Sequence, residues 1–315
     1  MKANGFIAAI FVVILIAYFF PQGIEILPFK TITDIGIGLI FLFYGLKLSP
    51  VEFKLGLKSY KVHILIQITT FLIFPLLCIA FLPVFEQGIK SELWIALFFL
   101  GTLPSTVSSS VVMVAIAKGN LPAAIFNASL SGLIGIFATP LWLSIFLKNA
   151  ANFEFQDVLL KLCLQILLPL IIGLFLNRFF GDLARKYGKQ LSFLDKTTIL
   201  LIVYSSFSSS FSSNLFETLN FQDLLKMFGI VLFLFFGVYF GLGLISKWFG
   251  FNRKDQITSQ FCGTKKSLVH GTVMLKVIFG QAASSGLLLL PIMLYHSLQL
   301  LVVSYFAQGY RKQDV

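Results

Sequence analysis

An all-α membrane bundle of ten transmembrane helices is the fold class that this sequence predicts, and three observations predict it. Of the 315 residues, 57% are hydrophobic and only 12% are charged, with a mean hydropathy of +0.92, which is not the composition of a soluble domain. About ten apolar blocks, each near the length needed to cross roughly 30 Å of hydrocarbon, follow one another with short gaps. The basic residues behind the net charge of +11 sit in those gaps rather than on one face. They read as topology signals and leave no nucleic-acid surface.

The blocks are residues 5–20, 31–48, 62–82, 92–117, 121–147, 157–179, 196–211, 223–248, 256–280 and 286–308. The first follows Lys2 and has no A-x-A-like cleavage site after it, so it is a span and not a secretory signal. The third carries Gln67, Thr69 and Thr70, and the fifth carries Asn127 and Ser131, four apart on one helix face. The fourth and ninth are long enough to contain a break. The seventh is short, and its serine run Ser205 to Ser213, interleaved with Phe207 and Phe211, is either a polar cavity wall or an extracellular helix end. The tenth contains His296, a packing residue expected to be hydrogen-bonded. Cys78, Cys163 and Cys262 all fall inside apolar blocks as small hydrophobes.

With the N-terminus in the cytoplasm, Lys47, Lys54, Lys58, Lys61, Lys118, Arg178, Arg185, Lys186, Lys189, Lys196, Lys247, Arg253, Lys254, Arg311 and Lys312 fall on that side, most of the 24 Lys and Arg. Lys30, Lys90 and Lys148 fall on the other, with Lys161 and Lys226 near helix starts. The positive-inside rule then puts both termini in the cytoplasm and makes the number of spans even. Residues 1–315 form one membrane domain. Its halves, about 1–150 and 151–315, enter the membrane from opposite sides, a 5+5 inverted repeat supported by position alone.

That division puts one interrupted helix at the fourth place of each half, the pattern that marks a midplane binding site in secondary transporters. In the first, Pro104 removes a backbone donor and disfavours helix at Leu103, and Ser105, Thr106, Ser108, Ser109 and Ser110 crowd the same spot. Hydroxyl and carbonyl oxygens there suit a small cation, and a half-helix start suits an anion. A proline kink with serines bonded back to the preceding turn is the structural alternative. In the second, Gly263 permits unusual backbone angles, and the stretch Gln260, Cys262, Thr264, Lys265, Lys266 and Ser267 places two ammonium groups at bilayer depth. Such charge costs roughly 3 kcal/mol on insertion scales and marks a ligand, a partner or water. One lysine binds an anionic solute and the other stands in for a cation, or both are held structurally by carbonyls. Asn127 and Ser131, like Gln67 and Thr70, either line the site or bond between helices. Lys276, nearer the far interface, is a snorkelling anchor.

Other chemistries lack their residues. His63, His270 and His296 show no metal-ligand spacing, although His270 lies near the lysine pair. No phosphate loop or nucleophile elbow is present, and no acidic residue sits at a helix centre. The chain is not expected to be an enzyme and needs no cofactor beyond a coupling ion.

The stretches LPSTVSSSVVMVAIAKGN, AAIFNASLSGLIGIFATPL, FCGTKKSLVHGTVMLKVIF and LYHSLQLL together resemble the bile acid:sodium symporter superfamily, within it a divergent symporter-like branch shared by bacteria and animals. The resemblance runs the length of the chain. It implies a panel domain and a core domain, with the fourth and ninth helices unwound where they cross, and secondary active transport of an organic anion by alternating access. It also implies sodium as coupling ion, but the chain departs from that pattern. Phe261 and Lys265 stand where sodium-coupled members carry glutamate and glutamine. Thr70 stands five residues before Pro75 where they carry glutamine, with Gln67 a turn away, and Ser110 and Val111 replace a small polar residue and asparagine. A degenerate sodium site near Ser108, Ser109, Ser110 and Asn127 is what remains, with Lys265 in place of the missing ion. The other function this departure suggests is a membrane regulatory or scaffold protein that kept the fold and lost transport. The expected location is a bacterial inner membrane, as a multi-pass protein.

Overall fold

The computed structural model describes residues 3–25, 28–48, 56–106, 108–147, 154–212, 221–279 and 285–312. Lys2, Lys54, Lys148 and Ser213 lie outside them, as do the side chains of Ser108, Arg311 and Lys312. Among the described residues all regular structure is helical. The order is α1 (Ala3–Phe19), α2 (Phe29–Lys47), α3 (Tyr60–Ile68), α4 (Phe74–Ala80), α5 (Glu92–Thr102), α6 (Ser108–Ile116), α7 (Leu121–Leu147), α8 (Phe155–Leu162), α9 (Leu168–Lys186), α10 (Gly188–Ser212), α11 (Phe221–Trp248), α12 (Arg253–Gly263), α13 (Leu268–Phe279) and α14 (Ser285–Lys312).

Among the described residues six stretches are long and apolar enough to cross a membrane by length and composition: Phe29–Lys47, Tyr60–Val84, Leu121–Phe146, Phe155–Lys186, Phe221–Trp248 and Gly286–Tyr310. Two of the other expected blocks, the fourth and ninth, fall short because each is interrupted. α5 and α12 have 11 residues each, about 17 Å of helix at 1.5 Å per residue, half of a bilayer core.

The third and sixth blocks are continuous helices with one wide turn each. Phe74 N–H bonds Thr69 O and Leu168 N–H bonds Cys163 O, both five residues back. Each wide turn ends just before a proline, Pro75 or Pro169. A proline gives no N–H to its ladder, and its ring crowds the carbonyl four residues earlier, so the helix opens there. Phe71 O, released in this way, accepts the Trp142 indole N–H at 2.7 Å.

The seventh block differs most from expectation. It begins eight residues earlier, at Gly188, and runs unbroken through Ser212. Ser205, Ser206, Ser208 and Ser210 are buried on this helix, so the run forms the last described turns of α10 and packs inward rather than lining an open cavity. Small serines let α14 approach: Gly286 N–H bonds Ser210 Oγ at 2.9 Å, and a Cβ at Gly286 would lie 2.8 Å from that oxygen. A second close approach joins α2 to α9, where a Cβ on Gly45 would meet Leu170 O at 2.3 Å. Lys276, expected to snorkel, instead pairs with Asp34 at 3.0 Å and donates to Lys30 O at 3.1 Å, tying α13 to α2.

The core sits around the interrupted helices. Trp94 and residues 96–100 of α5 are fully buried, as are Phe261 and much of α13. Outer faces of α1 and α9 remain apolar and exposed, with Phe11, Leu15, Phe175 and Phe179 pointing outward. That inversion, apolar inside and outside alike, is what a lipid solvent permits.

Candidate functional site

Both interrupted helices start with a side-chain cap. Ser91 Oγ accepts from Trp94 N at 3.4 Å, and Asn252 Oδ1 accepts from Asp255 N at 3.0 Å, each satisfying an orphan donor of the first turn. α5 stops at Thr102 because Leu103, ahead of Pro104, turns extended (φ −68°, ψ 149°). α12 stops at Gly263, and residues 264–267 run irregularly until Ser267 caps α13 by accepting from His270 N at 3.2 Å.

The two breaks touch through backbone groups. Ser267 N donates to Pro104 O at 2.9 Å, and Ser105 Oγ donates to Cys262 O at 2.6 Å. Ser131 Oγ accepts from Ser105 N at 2.9 Å, so α7 supports the same crossing. α14 closes it from another side: Gln299 exchanges two bonds with Lys266, N to Oε1 and Nε2 to O, both 2.9 Å. Tyr295 donates to Thr264 O at 2.6 Å.

Lys265 and Lys266 are essentially without solvent exposure, at 0% and 1%. Lys266 Nζ donates to three carbonyls, Thr70 O at 2.8 Å, Gly101 O at 2.6 Å and Leu103 O at 2.8 Å, and lies 4.2 Å from the centre of the Phe74 ring. Lys265 Nζ reaches the other half of the same broken helix, donating to Ser109 O at 2.8 Å. Neither pairs with a carboxylate among the described residues. Lys266 is thus held by carbonyls alone, while Lys265 reaches Ser109, within the serine cluster where the sequence reading placed it as the substitute for an ion.

The other expected residues divide into those at the crossing and those beside it. Thr106 Oγ1 bonds both Ser109 Oγ and Ser110 Oγ at 2.8 Å. Thr264 Oγ1 bonds back to Gln260 O at 2.7 Å. The Gln260 amide faces away, toward Tyr239 O (3.2 Å) and Tyr310 (3.3 Å). Asn127 and Ser131 separate: Ser131 serves the crossing, whereas the Asn127 amide bonds Gln67 Nε2 at 3.1 Å, Ala123 O at 3.0 Å and His63 Nδ1. His63 Nε2 in turn lies 2.7 Å from Gly56 O. Asn127 thus has partners of its own outside the serine cluster. Gln67 Oε1 and Thr70 Oγ1 are buried without partners. His296 bonds Gln299 Nε2 at 2.7 Å, and His270 bonds Ser267 Oγ at 3.0 Å. Among the described residues no group of His, Cys, Asp and Glu could hold a metal.

Sequence reasoning missed Gln299, Tyr295, Phe74 and the carbonyls of Gly101 and Leu103. Gln299 had a signal: an amide one helical turn beyond His296 inside an apolar span. Carbonyl ligands have none, since every residue carries one.

A family model described as the SBF-like CPA transporter family matches residues 4–312. The chain belongs to this family. Relatives of this SBF-like protein cover almost all of it. An uncharacterized protein of Pseudomonas aeruginosa is 35% identical across 99% of this chain and 94% of its own length. A protein of Escherichia coli K12, provisionally named as the symporter YfeH, is 31% identical across 98% and 93%. Sodium/bile acid cotransporter 7 of Xenopus tropicalis is 31% identical across 96% and 90%. With its apolar helices, this SBF-like chain is a multi-pass integral membrane protein of a transporter family. The resemblance inferred from the four motifs is thereby established.

Proposed function

We propose that the protein is a secondary active transporter that moves an organic anion by alternating access, with Lys265 as the anion's principal partner. The observation that carries this reading is a pair of buried ammonium groups at the crossing of two broken helices, bonded to carbonyls and to no carboxylate. Uncompensated positive charge at that depth favours an anion, and the N-terminal ends of α6 and α13 add positive dipole ends beside it. Of the two lysines, Lys266 uses three hydrogens on carbonyls and Lys265 uses one. Lys265 thus has donors left for a solute. Both are sealed from solvent in this conformation, so an anion reaches them only after the surrounding helices move.

In this reading α3 with α4, α5 with α6, α8 with α9 and α12 with α13 each make one of ten spans. They form inverted halves with panel and core parts, and both termini are cytoplasmic. The relatives named for sodium and bile acid motivate sodium and an organic anion as things to test. For sodium, this reading offers the hydroxyl cluster of Thr106, Ser109 and Ser110 among the described side chains, with Asn127 of the expected set bonded to Gln67 and His63. The reading therefore expects anion movement without a sodium gradient.

The test is uptake or exchange of anionic solutes by purified protein in liposomes, with candidates chosen from a thermal-shift screen in which bound ligand raises Tm. Flux is expected in sodium-free medium and is expected to vanish in Lys265→Ala. Wild-type flux in that variant rejects the role given to Lys265, and strict sodium dependence rejects the sodium-independent reading.

A further inference from the structure

Two of the three oxygens around Lys266, Thr70 O and Gly101 O, have lost the N–H that each would accept in regular helix. In regular α-helix Thr70 O would bond Phe74 N, but Phe74 N goes to Thr69 O in the wide turn. In a continued wide turn it would bond residue 75, which is proline and has no N–H. Gly101 O would bond Ser105 N, and that group goes to Ser131 Oγ. Leu103 O lies beyond the end of α5, in the extended segment that Pro104 enforces. Two prolines on different helices thus help aim three carbonyls at one point, at the negative end of the α5 dipole. Gly101 makes room for this, since a Cβ there would lie 2.5 Å from Cys78 Sγ. The Phe74 ring face supplies a further attractive wall at 4.2 Å.

A lysine amine that donates three hydrogen bonds uses three hydrogens, which only the ammonium form has. Carbonyl oxygens with a π face are the ligand set of a monovalent cation. We propose that Thr70 O, Gly101 O, Leu103 O and the Phe74 ring form a monovalent-cation site whose resident ion is the ammonium of Lys266, carried covalently by the chain. The site asks for no free ion in the wild-type protein, and it accepts a free cation of ammonium size once the lysine side chain is cut back. Burial of these carbonyls without a cation, Thr70 O and Gly101 O having lost their helical donors, is costly, so occupancy supports the crossing itself. This inference concerns binding and stability and stands apart from which solute, if any, is carried.

The experiment compares purified full-length wild type, Lys266→Ala and Lys266→Gln in detergent by thermal unfolding. Choline chloride is replaced stepwise by ammonium, methylammonium, potassium or sodium chloride at constant ionic strength and pH. Lys266→Ala is expected to have a lower Tm in choline and to recover it with ammonium or methylammonium, along a curve that rises with the logarithm of concentration above saturation. Wild type is expected to be flat, its site being filled. Lys266→Gln, with two amide hydrogens and no charge, is expected to be destabilised and to respond to no cation. A folded Lys266→Ala without cation-specific recovery, an equal rise in wild type, or a Lys266→Gln as stable as wild type overturns the proposal. If Lys266→Ala is recovered folded only when extracted in ammonium, that supports the site. Loss of the folded protein in every salt counts against it. Because Tm is the readout, a failure of anion transport leaves this result unaffected.

Discussion

Adjacent residues at the crossing have unlike surroundings, and the difference follows from what each side chain can reach. Lys266 is fixed at both ends, its backbone by Gln299 and its ammonium by three carbonyls. Lys265 has one contact at its tip. Removing Gln299 leaves a buried N–H and a buried C=O unpaired, about 1–3 kcal/mol for each. Removing the Tyr295 hydroxyl deletes one bond and leaves one buried group, Thr264 O, short of a partner, about 1–3 kcal/mol against twice that for Gln299. Gln299→Leu should therefore lower Tm more than Tyr295→Phe in the same detergent, and the reverse order would contradict the bracket assigned to Gln299.

At the scale of elements, the wide turn after α3 is a device for exposing carbonyls. Helix propensity alone says that Pro75→Ala should stabilise the helix, by up to about 3 kcal/mol. The opposite is expected here. An alanine N–H at position 75 lets the ladder close and competes with Trp142 for Phe71 O and with Lys266 for Thr70 O. Pro75→Ala should lower Tm; a higher Tm would show that the turn serves no such purpose. The start of α12 makes a simpler case, in which Asn252→Ala should cost about 1 kcal/mol through loss of its cap to Asp255 N, measured by thermal or denaturant unfolding.

For the whole molecule, the question is which surfaces face which compartment. The proposed topology, built on charge distribution, has the α9–α10 junction in the cytoplasm and the segment before α5 outside. With the half-buried Cys163 replaced by serine, a cysteine at Lys186 should react with an impermeant maleimide only from the cytoplasmic side. A cysteine at Gln87 should react only from the outer side. Labelling of both from one side would overturn the ten-span reading, because it would break the alternation between them. Both sites are exposed, so accessibility within the fold does not confuse the result.

What the sequence determined by itself was the solvent and the places of the breaks. A lipid solvent follows from apolar composition, and the breaks from Pro104, Gly263 and two lysines where the bilayer tolerates few charges. Family membership was legible too, since the motifs flanking both breaks are long. What only the tertiary structure decided was the assignment of partners. Local sequence could not show that α10 runs on through its serines, because their burial depends on the distant Gly286. Nor could it separate Asn127 from Ser131, since Gln67 and His63 on another helix claim the first and the α5 break claims the second. Lys265 and Lys266 differ for the same reason. The groups that hold Lys266 are backbone carbonyls up to 196 residues away in the chain, made available by prolines on two helices, and a carbonyl leaves no mark on the residue that carries it.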